Sequence, residues 1–239
     1  MKKFKTTVIL SIILLCFSGF MLGDCNESMY CGAEFESSIY TYILNALIFI
    51  CFVLIEKNTP LSYFADDNLA KLVRIHSRRK ALIYDIARIF ITVLFLEGCE
   101  TVSILAGSVF CGRNIIYENI ALYFLVNYVI KLFLILVQFM LEISVAYNFS
   151  FLIVYAVFIC GLYSGGNIYE RMLNTDDVSK QEMYKMINRF DLANYTSISR
   201  INVMSGDVLK TVTVVLGMIV FVMGVLFIYI KKADLFRKS

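Results

Sequence analysis

DDNLAKLVRIHSRRK, residues 66–80, lies between two long apolar runs and is too polar to sit inside a membrane. Its five cations, Lys71, Arg74, Arg78, Arg79 and Lys80, place it on the cytoplasmic side by the positive-inside rule. The stretch also reads as a helix. Asp66 or Asp67 can accept an orphan N–H at its start, and acid in the first turn with base in the last suits the helix dipole. Leu69, Leu72, Val73 and His76 fall on one side at three- and four-residue spacing, with Lys71, Arg74 and Arg78 on the other. Such a helix has two readings: it lies on anionic headgroups, or it docks into another protein and receives force from it.

The flanking runs decide the fold class. The chain is 59% hydrophobic, has a mean hydropathy of +0.75 and contains a single proline, Pro60. A soluble domain is only about half apolar. Several runs approach the ~20 residues that cross a bilayer. The sequence therefore predicts an all-α, polytopic membrane protein. Trp is absent, so any interfacial belt is built from Tyr. No basic patch with interleaved aromatics points to nucleic acid.

Working outward from 66–80, six spans are expected at about 6–22, 38–55, 84–110, 119–141, 149–163 and 208–230. Met1 to Lys5 is basic. The apolar run after it also fits a secretory leader, but no A-x-A-like site follows and Gly23-Asp24-Cys25 is a poor lipoprotein box. Pro60 separates the second span from the helix at 66–80. Asp85 and Arg88 are three apart, a pairing distance. Residues 142–148 read as a short cytoplasmic turn. Residues 164–206 form an external excursion in which Asp177 can cap a helix over 178–188.

Both termini then lie in the cytoplasm. Lys2, Lys3, Lys5, Lys57, the 71–80 cluster, Arg88, Lys231, Lys232, Arg237 and Lys238 fall inside. Arg113, Arg171, Lys180, Lys185, Arg189, Arg200 and Lys210 fall outside. The excess of basic residues inside supports the orientation.

The chain carries little catalytic chemistry. His76 is the only histidine, which removes histidine metal clusters and makes any Ser-His-Asp or Cys-His catalysis depend on one loop residue, more in keeping with an interface role. The run GSVFCGRN, 107–114, has the outline of a phosphate loop, but Arg113-Asn114 stands where Lys-Ser/Thr is required and no strand precedes it. No catalytic or metal-ligating residue is assigned, and no ATP site. Of the seven cysteines, Cys25, Cys31 and Cys111 are external, where a disulfide can persist. Cys25 with Cys31 is the candidate pair, with free thiols as the alternative.

Charged and amide side chains inside spans are the least expected feature, because a mid-helix charge costs about 2.5–3.5 kcal/mol. Asn45, Glu97, Glu100, Asn127, Lys131, Gln138 and Glu142 make up this set. The last four, at steps of four, seven and four, share one helical face. Counted inward from the turn between spans three and four, Glu97 and Lys131 sit at the same level. Glu100 sits about one turn nearer the outside. Lys131 is expected to pair with Glu97 and more weakly with Glu100. The set either clamps the helices together or lines a route.

This layout resembles ABC transporter permeases of the type 2 exporter class, in particular the small permeases of bacterial peptide or bacteriocin export and immunity. Val73 to Lys80, VRIHSRRK, resembles their basic coupling segment. Lys231 to Phe236, KKADLF, resembles their basic tail with an Asp-Leu ending. The resemblance implies six spans, a coupling helix at 66–80 and an external helical segment between spans five and six. It implies that Asp66, Leu69, Leu72, Val73, Arg74, His76, Arg78 and Arg79 contact a separate ABC ATPase, which holds the ATP and Mg. It also implies a homodimer or a pair with a second permease, in a bacterial cytoplasmic membrane. A stand-alone immunity or sensor protein is the alternative.

Overall fold

The computed structural model describes residues 2–25, 33–56, 78–113, 117–144, 147–204 and 207–235. Among these, every regular element is helical: α1 (Lys2–Cys25), α2 (Ile39–Glu56), α3 (Arg78–Phe110), α4 (Tyr117–Ser144), α5 (Tyr147–Leu173), α6 (Val178–Phe190), a short 3-10 helix (Leu192–Thr196), α7 (Ile198–Met204) and α8 (Val208–Leu235). The apolar runs force this choice, since in hydrocarbon only a helix satisfies its own backbone within one segment.

Four stretches are long and apolar enough to cross a membrane: Leu82–Phe110, Ile120–Ile143, Phe149–Leu173 and Val208–Ile228. α1 and α2 carry the shorter apolar stretches Val8–Gly23 and Ile39–Ile55. The surface agrees with a lipid setting. Ile91, Phe95 and Val102 on α3 and Val220, Phe221 and Ile228 on α8 are exposed, while Glu97, Glu100 and Lys131 are buried. A chain that turns apolar side chains outward and charges inward is built for lipid. It is a multi-pass membrane protein.

α1 packs on α3 through small residues. A methyl group added at Gly23 would stand 2.8 Å from the Ser108 nitrogen, and one at Gly107 would stand 2.9 Å from the Phe20 carbonyl carbon. Gly19 faces Ser103 in the same way, so the two helices run in one direction. Four-residue spacing of small residues on both partners is the close-approach pattern of membrane helices. The Ser108 hydroxyl donates to the Gly23 carbonyl at 3.1 Å. α2 meets α5 through stacked Phe49 and Phe158, 4.0 Å between centroids. α4 is central, touching α2, α3, α5 and α8.

Helix ends follow their sequence signals. Asp177 caps α6, accepting from Ser179 N at 3.0 Å, as its position predicted. α3 stops at Gly112 with φ 66, where Arg113 N donates to Ser108 O at 2.9 Å. That is a Schellman ending, and its left-handed residue favours glycine.

Two expectations change and one falls mostly outside the described residues. The helix expected at 66–80 lies outside the described residues as far as 77, and Arg78 to Lys80 form the first turn of α3. α5 continues to Leu173 instead of ending at 163. Ser164-Gly165-Gly166-Asn167 looks like a helix breaker, but these small residues keep the helix and admit neighbours against it. α4 runs to Ser144 and α5 begins at Tyr147, so Glu142 belongs to a helix rather than to a turn.

Candidate functional site

The polar face of α4 organises the interior. Asn127, Lys131, Gln138 and Glu142 are all buried on it, as their spacing required. Lys131 Nζ donates to Glu97 Oε2 at 2.9 Å and also to Glu100 Oε2. Both carboxylates reach the ammonium, where the weaker contact was expected with Glu100. The cause is side-chain direction. Side chains lean toward their own helix N-terminus, and α3 and α4 are antiparallel. Glu100 therefore leans inward and Lys131 outward until they meet. The Tyr123 hydroxyl reaches Glu100 Oε1 at 3.5 Å, and the Phe52 ring lies 4.8 Å from the ammonium. Glu97 Oε1 is buried without a hydrogen-bond partner.

Two turns further along α4, Gln138 Nε2 donates to Glu142 Oε1 at 2.8 Å and to the Val53 carbonyl at 3.2 Å. This second layer ties α2 to α4. Asn45 joins neither layer; its amide donates to Thr41 O on its own helix at 2.9 Å.

At the other end of the polar face, Asn127 Nδ2 donates to the Thr196 carbonyl at 3.1 Å. That bond attaches the bundle to a cap. The cap is not a loosely solvated excursion. Ala193, Asn194, Ser197, Ile198, Arg200, Ile201 and Met204 are buried, so the 3-10 helix and α7 are set down into the bundle. Irregular backbone at that depth is tolerated only where protein covers it.

Arg200 holds the cap together and is 0% exposed. Nε donates to Ala33 O at 2.9 Å, and Nη2 to Glu34 O at 3.2 Å and Leu162 O at 3.4 Å. Nη1 donates to Asn194 Oδ1 at 2.7 Å and to Leu162 O at 3.3 Å. Five donors thus meet acceptors from three chain segments. Phe35 and Tyr42 stack on the guanidinium at 4.8 and 5.4 Å. Gly165 leaves the room: a methyl there would stand 3.1 Å from Nη1. Around it, Asn194 Nδ2 donates to Asn188 O at 3.0 Å, and Asp191 caps the 3-10 helix by accepting from Ala193 N at 3.0 Å.

Burial lowers the Arg200 guanidinium from its usual value, opposed by Tyr42 and Asp191. Burial raises the Asp191 carboxyl, while the Ala193 N–H, the Arg200 charge and the Ser164 hydroxyl pull it down.

Asp66, Leu69, Leu72, Val73, Arg74, His76 and Cys31 lie outside the described residues, as do the side chains of Cys25, Arg78 and Arg79. Among the described residues no group of three His, Cys, Asp or Glu could hold a metal ion. Reading the sequence missed Arg200, which looked like one more external cation. Its signal was the neighbouring run Asp191 to Ser197, whose two ends cap a five-residue 3-10 helix just ahead of α7. No family model, no curated protein and no solved structure matches the chain.

Proposed function

We propose that this chain is the membrane-spanning permease subunit of an ATP-driven exporter of the ABC type 2 class. It moves a peptide or another amphipathic compound across a bacterial cytoplasmic membrane. α1 and α2 serve as two further spans, which makes six, with both termini and residues 66–80 in the cytoplasm. Two copies, or one copy and a second permease, form the pathway. Each docks through 66–80 on a separate ATPase, which binds the ATP and Mg and performs the hydrolysis.

One observation carries the reading. A helical segment between α5 and α8 folds back onto the end of the bundle, where that class of permease carries its external excursion. The test is co-purification of the tagged protein in mild detergent. An ATPase subunit is expected to accompany the wild type and to be lost from the Leu72→Asp, Val73→Asp double variant, which still reaches the membrane. A protein that purifies alone, with no ATPase gene beside its own, overturns the reading.

The second reading is a stand-alone immunity or sensor protein. It is favoured by the interior of the bundle, where Lys131 and its two carboxylates fasten α3 to α4 within a single chain.

A further inference from the structure

A groove of about 350 Å³ between the cap and α8 belongs to neither polar cluster. Leu192, Tyr195, Val214 and Met218 line it, with Arg189 and Lys210. Lys210, Val214 and Met218 follow at four-residue steps on one face of α8, so the groove runs about 12 Å along the start of that helix. Val214 and Met218 lie within the Val208–Ile228 span and are exposed, at 52% and 41%. What adjoins them at that depth is the leaflet.

The two cations differ in state. Arg189 is fixed, donating from Nε and Nη2 to Met204 O at 3.0 and 2.8 Å. Among the described residues the exposed Lys210 ammonium has no partner; its backbone N–H alone is engaged, by Asp207 Oδ1 at 3.0 Å. Phe190, 81% exposed, borders the groove and ends an exposed apolar stripe on α6 formed with Met183, Met186 and Ile187. Asn188 faces inward on the same helix, so the stripe points away from the protein, as on a helix lying in a membrane interface.

We propose that this groove binds one anionic phospholipid from the cap-side leaflet, its headgroup phosphate on Lys210 and an acyl chain along Val214 and Met218. The charge selects the occupant: cations at headgroup level above an apolar wall fit an anionic amphiphile. A two-fold contact between copies centred here would instead bring like charges together. The inference does not depend on the transport reading.

The chain has no tryptophan, so Met218→Trp is a sole fluorescent reporter. The protein is placed in phosphatidylcholine–phosphatidylglycerol liposomes with one lipid brominated on its acyl chains. Brominated phosphatidylglycerol is expected to quench about fivefold more steeply with mole fraction than brominated phosphatidylcholine, the preference one basic residue supplies. That excess disappears in Lys210→Glu, or in Lys210→Gln should the first variant melt early. Leu216→Trp, exposed on the same helix outside the groove, is quenched equally by both lipids. Equal quenching at Met218→Trp, or a preference that survives the Lys210 change, overturns the proposal. So does weak quenching by both lipids, which would mean that a second copy or a peptide covers the groove.

Discussion

Arg200 Nε lies 2.9 Å from the Ala33 carbonyl oxygen, across 167 residues of chain. The bond joins the segment before α2 to the cap in front of α8. The same guanidinium also donates to the Glu34 and Leu162 carbonyls, and the Tyr42 hydroxyl gives Glu34 O a second donor at 3.2 Å.

Replacing Arg200 with Leu should therefore take the donor from the Ala33 carbonyl and from Asn194 Oδ1, while Glu34 O keeps the Tyr42 hydroxyl. An unpaired buried acceptor costs about 1–3 kcal/mol, so the midpoint of thermal unfolding in detergent should fall by many degrees. Arg200→Lys should recover less than half of the loss, because an ammonium has three donors and no planar fork. Full recovery by Lys would refute the clasp.

The Glu97–Glu100–Lys131 group should respond unevenly. Glu97→Gln is expected to be mild, since Glu100 still faces Lys131 one to one. Lys131→Met should be severe, about 3–5 kcal/mol, because it leaves two buried carboxylates uncompensated. Adding Glu97→Gln and Glu100→Gln to Lys131→Met should restore most of the stability. A triple variant as unstable as Lys131→Met alone would show that the charges are not coupled.

Glycine replacements separate contact from propensity. Gly23→Ala pushes a methyl into the backbone of α3 and should destabilise, and Gly107→Ala should do the same against α1. Gly217→Ala and Gly224→Ala on α8 meet nothing within 4 Å. They should be neutral or slightly stabilising, because alanine is the better helix former by up to about 1 kcal/mol. Four equal melting midpoints would remove the close α1–α3 approach.

Asp191 gives a pH signature. Its folded-state pKa is raised by burial, so between the unfolded value and the raised one the folded state holds more protons. Stability contributed at this position then falls as pH rises through that window. Asp191→Asn keeps an oxygen for the Ala193 N–H but cannot ionise. It should flatten the pH dependence of unfolding on the alkaline side of the ordinary Asp value. An unchanged profile would assign the dependence to another group.

How far these features could be read from the sequence varies for physical reasons. The Lys131–Glu97 pairing followed from counting residues inward from one turn, because helix rise is constant. How the ammonium is shared between Glu97 and Glu100 did not, since it depends on the lean of two side chains. The end of α5 was misplaced because Gly165-Gly166 looks the same in sequence whether it breaks a helix or admits a neighbour. Arg200 was passed over for two reasons. A seven-residue helix has under two turns in which to show an apolar face. Backbone carbonyls, its main partners, carry no side-chain signature at all.

The span of the Arg200 clasp also has a consequence in time. Ala33 and Glu34 leave the ribosome 167 and 166 residues ahead of their partner. At roughly 5–20 residues per second that is a delay on the order of ten seconds. Throughout it, the Ala33 carbonyl waits for its Arg200 donor, while the Glu34 carbonyl can already accept from the Tyr42 hydroxyl, at 3.2 Å in the finished fold. The guanidinium arrives only once residue 200 has been made, so a product truncated before it lacks the clasp.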